Sequence, residues 1–353
     1  MVLEGVVWGK FVVCFEKNLI LYIFRRIVNQ KIDYMKKMIF LLVFLTSLCI
    51  FSQDKFAKYN ATVESVKNDI SLKIVHVKNE IFMIEGLGAG MGNIGVLRTQ
   101  NGIIMIDNSF EIIEEMITST VKEISPKPIK FIINTHYHYD HADGNRTYGK
   151  KKIPIIAHHN VRNRQKNIAK AYGGIYPVLD NFYVPKHEKN ELPTITFKDH
   201  LSLYEDNEEI SIFYFGNGHT DGDAIIKFNQ SNVVHTGDSF VLYGLPFIDI
   251  SNGGSIKGFI KNLEKIASIC DNETIIIPGH GSLSNKEKVN ELSEGLKEYY
   301  SKTIEGYNKG LSINEISNSI EIKLGETSGF GDPITVKNNF VRSILLENNI
   351  IID

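Results

Sequence analysis

Residues 135–144 read Thr-His-Tyr-His-Tyr-Asp-His-Ala-Asp-Gly, and this short segment constrains the chain more than any other. It follows Phe131-Ile-Ile-Asn134, a run of the kind found in a buried strand. His136 and His138 lie two apart at the end of that strand, so their side chains point to one side. Two imidazoles can then share one metal ion. Asp140 and His141 come next, as the chain turns, and can face a second point close by. Imidazole and carboxylate are the ligands zinc takes where no thiolate is at hand. A lone histidine is usually an ordinary packed residue. Three histidines and an aspartate within six positions make a metal site the better reading.

The rest of the chain repeats the arrangement of an apolar strand followed by an unusual loop. Ile74-Val-His-Val77, Ile81-Phe-Met-Ile84, Gly95-Val-Leu97 and Ile103-Ile-Met-Ile106 are short runs separated by glycine and asparagine, as in antiparallel strands with tight turns. Residues 112–124 have helical apolar spacing, with Pro126 beyond the end. Later strands lead into Gly218-His219-Thr220, into Thr236-Gly-Asp238 and into Pro278-Gly-His280-Gly281. Helical patterns fall at 256–270, 287–304, 313–320 and 336–347. Hairpins followed by alternating strand and helix favour a layered α/β architecture. Residues 165–200 are rich in glycine and proline and read as a lid or an insertion beside a site.

The ordered set His136-x-His138-x-Asp140-His141, then His219, Asp238 and His280, resembles the metallo-β-lactamase superfamily across roughly residues 72–285. The resemblance implies an αββα four-layer sandwich with metals at one edge between two sheets, followed here by a helical C-terminal extension. It also implies two zinc ions per chain. His136, His138 and His219 would hold one, Asp140, His141 and His280 the other, and Asp238 would bridge them. A metal-bridging hydroxide would then attack an ester, lactone, thioester or amide carbonyl, with Asp140 orienting the nucleophile. Asp107 either supports the metal loop from behind or caps the helix that follows. His158 and His159 line the cleft or, by the balance for unpaired histidines, pack structurally. His235 stands just before the Asp238 loop. Tyr137, Tyr139 and Tyr243 are either oxyanion donors or packing aromatics. Cys270, at a helix end, reads as structural.

Asp238 bears on which branch of the superfamily is meant. Dedicated β-lactamases of this fold generally carry cysteine or serine there. A bridging aspartate resembles the glyoxalase II-like thioesterases and the lactonases. The expectation is therefore a zinc-dependent hydrolase of small molecules, with a β-lactamase proper as one alternative. A second alternative is a persulfide dioxygenase-like oxidoreductase with one iron on His136, His219 and Asp238. A non-catalytic binding module has little support, because no ligand position is lost.

The formal charge is −2, and long basic runs are missing, so nothing points to nucleic acid as a partner. From Met35 the chain reads Met-Lys-Lys, then an apolar run over 38–51, then Ser-Gln53, the layout of a secretory signal peptide. That run is short for a membrane span. A lipoprotein reading through Cys49 is disfavoured by Leu48, where a small residue is expected. The expected organisation is an upstream extension over 1–34, with translation starting at Met35, and a signal peptide over 35–53. The metallo-β-lactamase-fold domain follows over 54–286. A helical extension over 287–353 either caps the cleft or mediates oligomerisation. The product would be exported, periplasmic or secreted, with no stable membrane span in the mature chain. The cysteines are Cys14, Cys49 and Cys270, and the last cannot form an intramolecular disulfide in the mature chain.

Overall fold

The structure is a computed structural model describing residues 22, 25–32, 34–39, 55–88, 90–170, 182–321 and 332–350. The chain divides into two units, Met1–Lys55 and Phe56–Asp353. The few described residues of the first unit are helical and exposed. Most of the expected upstream extension and signal peptide lies outside the described residues. No described helix is long and apolar enough to cross a membrane.

The second unit opens with α1 (Ala57–Asp69) and a meander of β1 (Ser71–Lys78), β2 (Ile81–Leu87), β3 (Ile94–Arg98) and β4 (Ile103–Ile106). A 3₁₀ turn and α2 (Glu114–Ile124) lead to β5 (Ile129–Ile133), then α3 (Tyr139–Ala142), α4 (Asn145–Lys150), β6 (Ile155–His158) and α5 (His159–Gln165). The short pair β7 (Ala169–Lys170) and β8 (Tyr183–Val184) precedes β9 (Ile195–Phe197). Next come β10 (His200–Glu205), β11 (Glu208–Tyr214), β12 (Ala224–Phe228), β13 (Val233–His235), α6 (Ile256–Ile269) and β14 (Ile275–Ile277). The chain ends in α7 (Lys286–Asn308), α8 (Ile313–Ser319) and α9 (Pro333–Glu347).

Two sheets form, ordered β1-β2-β3-β4-β5-β6-β9 and β10-β11-β12-β13-β14. The first is antiparallel from β1 to β4 and parallel from β4 to β9. The second is antiparallel until β13 pairs with β14 in parallel. Side-chain alternation makes the layers. Ile104 and Ile106 face Ile226, Val233 and Ile277 between the sheets, whereas Ile103 and Met105 pack outward with Ile117 and Val121 of α2. On the other side Val234 and Ile276 pack outward with Phe259 and Leu263 of α6. Strands buried on both faces carry unbroken apolar runs for this reason. The result is the expected αββα sandwich.

Helix α6 shows how sequence sets an outer layer. Ile256, Phe259, Leu263 and Ile266 recur at three- and four-residue spacing and are buried, and the Ser255 side chain accepts from the Gly258 N–H at 2.9 Å to start the helix. The C-terminal extension continues this layer. Leu292, Leu296 and Tyr299 of α7, with Phe340 and Ile344 of α9, join the same core. Of the two expectations for the extension, capping the cleft finds no support among its described residues. No described residue of α7–α9 lines the cavity, because their apolar faces are spent on α6 and the second sheet. The wall comes instead from α1, which sequence reading had passed over. Its mixed polar sequence has no strong apolar stripe, yet Tyr59 and Val66 are buried.

Candidate metal centre

Four strands are followed by side chains of the site. Asp107 follows β4, His136 follows β5, Asp238 follows β13 and His280 follows β14. In parallel sheets the carboxyl ends of strands are where such sites gather. His219 comes from the loop joining β11 and β12.

The structure brings all seven expected ligands into two adjoining groups. His136, His138 and His219 form one, and Asp140, His141, Asp238 and His280 the other, each with its donor atoms within 4.8 Å of one another. In the first group His138 Nδ1 lies 3.1 Å from His136 Nε2 and 2.8 Å from His219 Nε2. In the second, His280 Nε2 lies 3.2 Å from Asp140 Oδ2, and His141 Nε2 lies 3.0 Å from Asp238 Oδ1. Asp238 divides its carboxylate: Oδ2 stands 3.6 Å from His219 Nε2, and Oδ1 faces His141 and His280.

Each of four histidines is fixed by its other ring nitrogen. His219 Nδ1 donates to the Phe247 carbonyl at 2.7 Å, and His138 Nε2 lies 3.0 Å from Asp249 Oδ2. His141 Nδ1 lies 2.8 Å from Asp107 Oδ2, and His136 Nδ1 lies 3.0 Å from Thr135 Oγ1. Such partners select the tautomer and aim the free nitrogen. Asp107 also accepts from the Thr135 N–H at 2.7 Å and from its hydroxyl at 2.7 Å. It adopts a left-handed φ of 64° and caps no helix, which decides between its two sequence readings. Two glycines permit the close packing. A Cβ on Gly92 would stand 2.3 Å from His141 Cε1, and one on Gly279 would stand 2.0 Å from Asp238 Oδ1.

Burial works against charge throughout. It pushes His136 well below the ordinary histidine value and His219 down to about 4, which keeps both as neutral lone-pair donors. Burial disfavours the charged form of His280 too, but Asp238 and Asp140 outweigh it and raise this group to about 9. Burial likewise opposes ionisation of Asp238, yet His280 and His141 hold it well below the usual carboxylate range. Asp238 Oδ1 is nevertheless buried without a hydrogen-bond donor. Converging imidazole lone pairs, two carboxylates and an orphaned carboxylate oxygen fit divalent cations, which would compete with protons for the same atoms.

Other candidates separate cleanly. Tyr139 and Tyr243 line the adjoining cavity, together with Met91, Phe110 and Phe247. Tyr137 is buried and donates to Asp249 instead. His158 stacks on Tyr214 at 3.9 Å and starts α5 by accepting from the Asn160 N–H, so it is structural, and His159 is exposed outside the cavity. His235 is buried behind the Asp238 loop and accepts from the Gly237 N–H at 3.2 Å. Cys270 is buried, and burial raises its thiol to about 11, in keeping with a structural role. Sequence reading missed Asp249. One acid inside the apolar run Leu245-Pro-Phe-Ile-Asp-Ile250 was the available signal. Of the 165–200 segment, 171–181 lies outside the described residues. Within the described part, Ala169–Lys170 pairs with Tyr183–Val184 as β7–β8, β9 joins the larger sheet, and Phe182 stacks on Tyr139 at 5.5 Å.

Comparison with known proteins agrees with this geometry. The chain is 24% identical over 195 residues to a metallo-beta-lactamase type 2 of Bacillus cereus, covering 54% of this chain and 67% of that protein. It is 21% identical over 210 residues to the metallo-beta-lactamase IND-1 of Chryseobacterium indologenes, covering 58% and 80%. Among solved structures, a metallo-beta-lactamase from Pontibacter korlensis superposes with a TM-score of 0.52 at 14% identity, over 64% of this chain and 99% of that one. A double mutant of the sec-alkyl sulfatase PisA1 superposes at 0.56 and 14% identity, over 78% of this chain and 50% of that one. At such identities the structural likeness speaks for the fold. The family model described as the metallo-beta-lactamase superfamily matches residues 87–280, more than half of the sequence, and the chain belongs to that superfamily.

Proposed function

We propose that this superfamily hydrolase is zinc-dependent and cleaves an ester, lactone, thioester or amide bond in a small molecule. His136, His138 and His219 would hold one ion, Asp140, His141 and His280 the other, and Asp238 would touch both. The observation that carries this reading is the division of the Asp238 carboxylate between the two groups. Zinc at such positions supplies Lewis acidity, polarising a carbonyl and lowering the pKa of water toward neutrality.

The chain's own side chains do the rest. Both ligand-group carboxylates line the cavity, and Asp140, with its side chain 18% exposed against 6% for Asp238, is the more open of the two, so it can orient the attacking water and receive its proton. The cavity is about 850 Å³, roomy enough for a small organic substrate. The buried faces of Phe110 and Met91 limit the water that enters with it. The leader pattern over 35–53 supports placing the reaction outside the cytoplasm; N-terminal sequencing of secreted protein tests this, and a mature chain starting well before residue 50 would contradict it.

Replacing Asp140 by Ala should lower kcat on zinc-loaded protein by at least about a hundredfold, with the melting temperature preserved. The assay is a panel of esters, thioesters, lactones and a chromogenic β-lactam. Unchanged turnover in the variant would refute the assigned role. The iron-dependent alternative predicts one iron per chain on metal analysis.

A further inference from the structure

The cavity beside the metal centre is one-sided in its chemistry. Its polar end consists of the histidines and aspartates already described. The remainder is lined by Ala61, Thr62, Ser65 and Val66 of α1, by Met91, Phe110 and Phe247, and by the neutral polar Tyr139 and Tyr243. None of the described lining residues is lysine or arginine, and the sequence over 171–181 contains neither. Lys58 stands one turn from Ala61 and Thr62 on the same helical face, but it is not among the residues that bound the cavity. Two arginines of the surrounding segments are engaged with carboxylates. Arg146 bonds Asp143 at 2.7 Å, and Arg164 bonds Asp221 at 2.6 Å.

An anionic group on a substrate must be solvated or paired when it enters a site. Here, among the described lining residues outside the metal centre, it would find small, apolar and neutral polar side chains but no cation. Positive charge from bound metals lies only at the histidine end, where the scissile carbonyl must sit. We infer that the substrate is an uncharged ester or lactone whose acyl part is apolar and lodges against α1, Met91 and Phe110. This rests on the hydrolytic reading for the bond that is cut, but the pocket's preference can be measured without catalysis.

Binding to zinc-loaded protein is measured by isothermal titration with octanamide and with suberamate, the same chain ended in a carboxylate. Octanamide should bind at least about tenfold more tightly, and affinity should rise about threefold per methylene from butanamide upward. Thr62→Trp fills the α1 side of the cavity without touching a ligand, and should cost octanamide about tenfold or more while zinc content stays unchanged. Ala61→Leu serves the same purpose if the tryptophan variant does not fold. In parallel, phenyl octanoate should be turned over faster than its suberate half-ester. Equal or tighter binding of suberamate, or indifference of octanamide to both α1 variants, would overturn the inference. Discriminating binding with no turnover of any ester, lactone, thioester or amide would leave the pocket's preference for an uncharged apolar chain standing and overturn the hydrolytic reading.

Discussion

At the scale of single residues, the centre depends on side chains that never reach the cavity. Asp249 holds His138 by its Nε2, which leaves Nδ1 for the metal-facing side, and Tyr137 and Asn252 in turn hold Asp249. Replacing Asp249 by Ala should therefore weaken zinc binding about 10- to 100-fold in a chelator competition. An unchanged zinc affinity would show that His138 is oriented by packing alone. His187 offers a test at a residue outside the two ligand groups. Burial, then Arg146 and Lys150, push it down to about 3, and its Nδ1 has no hydrogen-bond partner. The carboxylate 3.8 Å away, Asp143, is already taken by Arg146 and Tyr59. A histidine with a depressed folded pKa binds its proton more readily when unfolded. Its stabilisation is complete above about pH 6.5 and is lost as the pH falls toward 3. His187→Gln should flatten the acid limb of the urea midpoint by up to about 1 kcal/mol per pH unit. Parallel limbs for variant and parent would contradict this. The grouping of the seven candidate ligands was legible in sequence because their residue types are rare in such density. Asp249 was not, since a single acid in an apolar run gives no spacing to read.

At the scale of elements, the strands and helices that carry a period were readable, and those that do not were missed. Strand alternation between Ile103 and Ile106 and the helical spacing from Ile256 to Ile266 both translate directly into layers. The observed α6 ends one residue before the expected 270, and the expected helix over 112–124 begins with a 3₁₀ turn at Glu111–Ile113. Helix α1 was illegible because it is held at two buried points, Tyr59 and Val66, rather than along a stripe. Tyr59 donates to Asp143 at 2.7 Å and meets Phe182 edge-on at 6.5 Å, contacts between segments far apart in sequence. Phe259 of α6 is fully buried in the layer over the second sheet. Phe259→Ala should cost about 3–5 kcal/mol of unfolding free energy by denaturant titration. A loss below about 1 kcal/mol would mean that α6 is not the anchor of that layer.

For the whole molecule, the sandwich and the terminal helices form one unit over Phe56–Asp353. The family match ends at residue 280, yet the chain beyond it supplies Val289, Leu296, Tyr299 and Phe340 to the outer core. Truncation after residue 286 should therefore expose a large apolar face of α6 and give an aggregating product. A soluble truncated chain with the full-length melting temperature would contradict that role. Sequence reading placed the extension correctly as helical but could not say which face it covers, because that depends on how α6 lies on the second sheet. The central claim is the two-ion centre bridged by Asp238. Its most direct test is zinc stoichiometry by mass spectrometry of the folded protein, for the parent chain and for Asp238→Ala. Two zinc ions per parent chain and at most one in the variant are expected, with the fold retained. Two ions in both proteins, or one in the parent, would contradict it.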